Sequence, residues 1–167
     1  MIALVGMPGA GKTTVGRELG RRTSLGFADS DALVDERFGD VLGRRPGAAE
    51  WRAFRACERT VLTELAARPG GIVAIGGGGW HEPETRADFA GWRTVYLRVP
   101  LDTLVVRHRG RHRVMFAEGD LRERLRSLLD EREAEYATAE VVVDAQHPVD
   151  EVVARITDAV RRVAHEV

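Results

Sequence analysis

The sequence predicts an α/β fold: one domain, residues 1–167, built on a parallel β-sheet with helices on both faces. Three observations predict it. Short apolar runs alternate along the chain with segments of helical periodicity, the order that builds a doubly wound sheet. Most of the apolar runs do not alternate with polar residues, which suits strands buried on both faces. The first run leads into Gly6-Met7-Pro8-Gly9-Ala10-Gly11-Lys12-Thr13-Thr14, and a helical pattern follows at once. Strand, glycine-rich loop and helix in that order form a phosphate-binding unit, and ligands then sit at the carboxyl ends of the strands.

The first strand is Ile2–Val5. In the loop after it, the glycines let the backbone curl so that successive N–H groups face an anion, and the helix N-terminus adds partial positive charge. Gly9, Ala10, Gly11, Lys12, Thr13 and Thr14 are therefore the expected nucleotide-binding residues. Lys12 is placed to reach the β- and γ-phosphates of ATP, and the Thr13 hydroxyl to hold Mg²⁺. Lys12 is also the only lysine in the chain. Arginine serves everywhere else, so the compact ammonium is kept where a point charge must fit among phosphate oxygens.

The second strand, Gly26–Asp29, runs into Asp29-Ser30-Asp31. One carboxylate could hold the magnesium's water shell while the other accepts a proton from a substrate hydroxyl. Helix N-capping is the other reading, since Asp and Ser are preferred caps. Residues 39–49, with their glycines and Pro46, read as a loop before a helix around Ala53–Ala67. Arg55 and Glu58 share a face of that helix, either as an orienting pair or as an exposed ion pair. Cys57 lies on the apolar side and reads as a buried, inert thiol.

The third strand, Ile72–Ile75, is followed by no aspartate, which returns the metal task to Asp29. It runs instead into Gly76-Gly77-Gly78-Gly79, which either lets a ligand approach the backbone closely or is a flexible turn. After the fourth strand, Thr94–Val99, the run Arg107-His108-Arg109-Gly110-Arg111-His112-Arg113 is densely basic. A nucleic-acid patch lacks the interleaved aromatics it needs, a solvated charge run is possible, and a phosphate-closing lid over residues 109–119 connects to the Lys12 loop. A helix begins at Asp120, with Glu123 at capping-box spacing and Leu121, Leu125, Leu128 and Leu129 as its buried stripe. The fifth strand is Glu140–Val143, and Val149, Val152, Val153, Ile156, Val160 and Val163 line one face of the last helix.

Composition narrows the function. Apolar residues make up 44% and charged residues 31%, as in an ordinary soluble domain. A formal net charge of −1 gives no reason to invoke nucleic acid or an acidic membrane. A single cysteine excludes an intrachain disulfide and suggests a reducing compartment. The early first strand leads us to expect no signal peptide, and no apolar run is long enough to span a bilayer. A cytoplasmic monomer acting on a small molecule is expected.

These residues resemble the shikimate kinase family, in the nucleoside-monophosphate-kinase-like group, over nearly the whole chain. Gly6–Thr14 resembles its phosphate loop, Phe27-Ala28-Asp29-Ser30-Asp31 its paired-aspartate motif, and Phe54-Arg55 with Glu58 its substrate helix. Gly76-Gly77-Gly78 matches its triple glycine, Arg113 its lid arginine, and Arg132 with Tyr136 a motif in the following helix. The resemblance implies a three-layer P-loop kinase fold with a five-stranded parallel sheet in the order 2-3-1-4-5, a substrate region near residues 31–60, and a mobile lid. It implies ATP- and Mg²⁺-dependent phosphorylation of the shikimate 3-hydroxyl. Asp31 would orient that hydroxyl, Arg55 and Arg132 would clamp the carboxylate, and Gly77 would meet the ring through its backbone. Arg113 would stabilise the transferring phosphoryl group, while Arg107 and Pro148 would flank the adenine. Thr13 and Asp29 would hold the metal.

The chain departs from the family pattern around the acceptor. Val114 replaces the proline after the lid arginine, Ala134-Glu135 replaces Pro-Leu before Tyr136, Arg45-Pro46 replaces Ile-Phe, and a Gly-Glu pair falls at Glu50-Trp51. A kinase for another small hydroxy acid or cyclitol, or a nucleotide-binding regulator of the same fold, is the alternative.

Overall fold

The computed structural model describes residues 1–42, 46–109 and 120–165. Among these residues five strands form one parallel sheet: β1 (Ile2–Val5), β2 (Phe27–Asp29), β3 (Ile72–Ala74), β4 (Arg93–Arg98) and β5 (Val141–Asp144). Their order is β2-β3-β1-β4-β5, as the family resemblance implies. Every residue of β1 and β3 is buried, so both faces of the sheet centre are covered. Register places Leu4 between Ala74 and Val95, and the carboxyl ends of β1, β2 and β3 side by side.

Among the described residues, seven α-helices connect and flank the strands: α1 (Lys12–Thr23), α2 (Ser30–Phe38), α3 (Ala48–Ala66), α4 (Pro83–Asp88), α5 (Leu101–His108), α6 (Leu121–Tyr136) and α7 (Val149–His165). α1 packs beside α7, α2 beside α3, and α5 beside α6. The stripe of α7 closes the core through Val152, Val153 and Ile156, with Val149, Val160 and Val163 half-buried against it. In α6 Leu125 is fully buried, and Leu121, Leu128 and Leu129 pack around the same core.

One strand differs from the majority pattern, and two expectations need correction. β5 alternates, with Val141 and Val143 buried and Val142 exposed, because it is an edge strand with α7 against it. α3 starts at Ala48, five residues before the sequence reading placed it. Its first turn is stabilised by the Glu50 carboxylate, which accepts the Gly47 N–H at 2.8 Å. Cys57 is half-buried at the margin of the core rather than enclosed in it. Among the described residues no helix is long and apolar enough to cross a membrane.

Candidate active site

The loop between β1 and α1 is tightened by a hydrogen bond from the Ala10 N–H to the Met7 carbonyl, 3.0 Å. Gly11 is the N-cap of α1 with φ +100°, and no side chain caps the helix or places an acid in its first turn. A helix start left in this state favours an anion. Lys12 is half-buried and not the exposed loop residue its position suggests: Nζ donates to the carbonyls of Gly6 at 2.7 Å and Met7 at 3.1 Å. The ammonium is thereby folded against the loop it serves.

Asp29 caps α2 and at the same time faces the phosphate loop. Its Oδ1 accepts the N–H groups of Asp31 at 3.1 Å and Ala32 at 3.2 Å, capping α2. Its Oδ2 accepts the Thr13 hydroxyl proton at 2.6 Å. A hydroxyl and a carboxylate side by side are hard oxygen donors of the kind Mg²⁺ takes together with nucleotide phosphates and water. Among the described residues no cluster of three or more His, Cys, Asp or Glu forms a larger cage. Ser30, fully buried, accepts the Gly76 N–H at 2.8 Å and so ties the start of α2 to the glycine run.

That run is a packed platform and not a flexible turn. A Cβ on Gly76 would collide with the Asp31 carboxylate and with Glu58, and one on Gly78 would collide with the Arg55 guanidinium. The Tyr136 hydroxyl donates to the Gly77 carbonyl at 2.5 Å, and burial pushes its pKa up to about 12. Tyr136 stacks on Tyr96 with centroids 5.3 Å apart. Glu58 is 2% exposed, so its ion pair with Arg55 is not a surface pair. Burial raises its pKa, with the Asp31 charge adding to the rise and Arg55 and Arg132 opposing it.

Arg55 is held on further sides. Its Cζ lies 5.7 Å from the Trp51 ring centroid and 5.6 Å from that of Phe54, and these rings meet edge to face. Arg132 is 7% exposed; Nε donates to Glu131 at 3.2 Å, and one terminal nitrogen has no hydrogen-bond partner among the described residues. Such a buried donor suits an incoming anion.

One cavity of about 680 Å³ joins the phosphate loop, the aspartates, the glycine run and Arg55, while Arg132 is not among the residues that line it. Gly9 to Thr14 and Arg107 line one end, Trp51, Phe54, Arg55 and Glu58 the other, with Asp29, Asp31 and Gly76 to Gly78 along it. Pro148 is exposed, flanked by the lining residues His147 and Val149. Arg107 donates to the carbonyls of Ala10 at 3.1 Å and Ala145 at 2.8 Å, so it bridges two loops. Arg113 and lid residues 110–119 lie outside the described residues, as does Arg45.

The family model for shikimate kinase matches residues 8–161. The chain belongs to the shikimate kinase family. It is 38% identical over 152 residues to the shikimate kinase of Paramagnetospirillum magneticum, covering 90% of this chain and 78% of that one. It is 34% identical over 167 residues to the shikimate kinase of Mycobacterium avium, covering 95% of each. The solved shikimate kinase of Acinetobacter baumannii in complex with shikimate superposes with a TM-score of 0.86 at 27% identity, over 96% of this chain and 92% of that one. A gluconokinase from Sinorhizobium meliloti, 20% identical with a TM-score of 0.66, shares the fold alone.

Membership in the shikimate kinase family makes the chain a phosphotransferase and fits the two-ended cavity. Three contacts were not foreseen from the sequence: the Ser30 anchor, the Trp51 wall and the bridge made by Arg107. The spacing of Trp51, Phe54 and Arg55 was a usable signal, because residues three and four apart share a helix face. The Ser30 contact joins the start of α2 to the glycine run after β3, 46 residues away in sequence, and leaves no local trace.

Proposed function

We propose that the protein transfers the γ-phosphoryl group of ATP to the 3-hydroxyl of shikimate, as a cytoplasmic monomer. The observation that carries this reading is one shared cavity lined both by the uncapped start of α1 with Lys12 and by Arg55 beside Trp51. The loop N–H groups and Lys12 bind the phosphates. Thr13 and Asp29 are the residues that hold Mg²⁺, which when bound neutralises charge on the β- and γ-oxygens.

Asp31 stands at Gly76 and orients the acceptor hydroxyl, taking its proton as the new P–O bond forms. Arg55 and Arg132 grip the acceptor carboxylate through planar forks. Gly77 presents its backbone to the ring, with its carbonyl already engaged by Tyr136. Arg107 and Pro148 flank the adenine, and Arg113 neutralises charge on the moving phosphoryl group.

The test is ADP release coupled to NADH oxidation, with shikimate and a panel of related hydroxy acids and cyclitols. Saturable, Mg²⁺-dependent turnover with shikimate is expected. Turnover with another member of the panel and none with shikimate overturns the acceptor assignment while leaving the kinase chemistry.

A further inference from the structure

The last turn of α5 meets the phosphate loop through two consecutive residues. Arg107 donates to Ala10 and Ala145, as above. His108 is 3% exposed, and its Nδ1 lies 2.8 Å from the Leu104 carbonyl. A carbonyl only accepts, so Nδ1 carries a proton and the rotation of the ring is fixed. The Cε1 edge of that ring faces Gly9, whose φ is +82°, and a Cβ on Gly9 would collide with it. The proposed chemistry uses no group at His108.

We propose that His108 is a positioning residue for the nucleotide: its ring props Gly9 in the left-handed conformation while Arg107 ties the next residue to Ala145. The proposal rests on the phosphate-binding reading of the loop. Glycine is the residue with the most backbone freedom to lose, and a loop that must order itself on binding loses affinity by that amount. A ring packed against Gly9 supplies this order before ATP arrives.

Two variants separate positioning from packing. His108→Ala removes the ring and the donor. His108→Asn restores an N–H donor where Nδ1 stood, so it keeps the bond to Leu104, yet leaves Gly9 without a ring edge against it. Both variants are expected to raise KM for ATP about tenfold, ~1.4 kcal/mol, with KM for the acceptor unchanged. Binding of a fluorescent ADP analogue without acceptor should weaken in parallel. Melting of the Asn variant should stay close to that of the parent chain.

Wild-type affinity for the analogue in a folded Asn variant overturns the proposal. A rise in both KM values that tracks the loss of melting temperature also overturns it, because that is the mark of a structural role. If the parent chain itself does not bind the analogue, the nucleotide reading of the loop fails first.

Discussion

The Thr13 hydroxyl donates to Oδ2 of Asp29 at 2.6 Å while Oδ1 of the same carboxylate caps α2. One side chain thus joins the first turn of α1 to the first turn of α2. Asp29→Asn keeps an oxygen for the cap and loses the charge. Its expected effect is a several-fold higher Mg²⁺ concentration for half-maximal turnover, with melting little changed. Asp29→Ala should lose the cap as well, about 1 kcal/mol of stability. A magnesium titration with thermal melting checks both, and an unchanged magnesium requirement in Asp29→Asn counts against the metal role.

Lys12 reaches back to two loop carbonyls with a single ammonium, at 2.7 and 3.1 Å. A guanidinium is planar and larger, and its donors fork apart. Lys12→Ala should abolish phosphoryl transfer while the domain still melts cooperatively. Lys12→Arg should recover little, and near-normal turnover in that variant would show that the lone lysine is not required as a point charge.

The phosphate end of the site was legible because its geometry is local: Gly9 to Thr13 are contiguous, and a strand and a helix flank them. The five strands were legible for the same reason, with ends off by a residue or two where hydrogen bonding, not composition, decides the boundary. The start of α3 was not legible, because Pro46 and Gly47 read as loop and the Glu50 side chain that stabilises the first turn lies downstream. Glu58 was ambiguous for a different reason. On its own helix it looks like a surface partner of Arg55, and only the packing of α3 against the glycine run buries it.

Burial makes Glu58 pH-sensitive. It favours the neutral acid, so the folded state binds the proton more tightly than the unfolded chain, whose value is near 4.5. Its contribution to stability is fully present below that pH and is lost as pH rises through the higher folded value. Glu58→Gln stays neutral throughout. The melting-temperature difference, variant minus parent, should be near zero at pH 4 and should grow in favour of the variant toward neutrality. A difference that moves the other way would mean that the Arg55 pair outweighs burial.

Trp51 closes one side of the acceptor end and lies 5.7 Å from the Arg55 guanidinium. Contacts of this kind are worth roughly 0.5–1 kcal/mol at partly exposed sites. Trp51→Ala should therefore raise KM for the acceptor by about threefold, and KM for ATP should not move. Trp51→Phe should recover most of the loss. An effect on ATP instead would place Trp51 outside the acceptor site.

The arginines divide by what they touch. Arg55 and Arg132 are assigned to a part of the acceptor that does not react, so removing either should raise acceptor KM and leave kcat within a few-fold. Arg113 is assigned to the transferring phosphoryl group, where an arginine is worth roughly 10³–10⁵ in rate, so Arg113→Ala should lower kcat far more than it weakens acceptor binding. Arg132 offers a sharper test, because one of its buried nitrogens has no partner among the described residues. Arg132 is also paired with Glu131 and favours the charged form of Glu58, so removing it costs some stability. Arg132→Met should lower the melting temperature of the ligand-free protein somewhat while acceptor KM rises at least tenfold. Steady-state kinetics and melting on this variant read the two effects separately. A fall in stability with unchanged KM would make Arg132 a structural residue and leave Arg55 alone at the carboxylate.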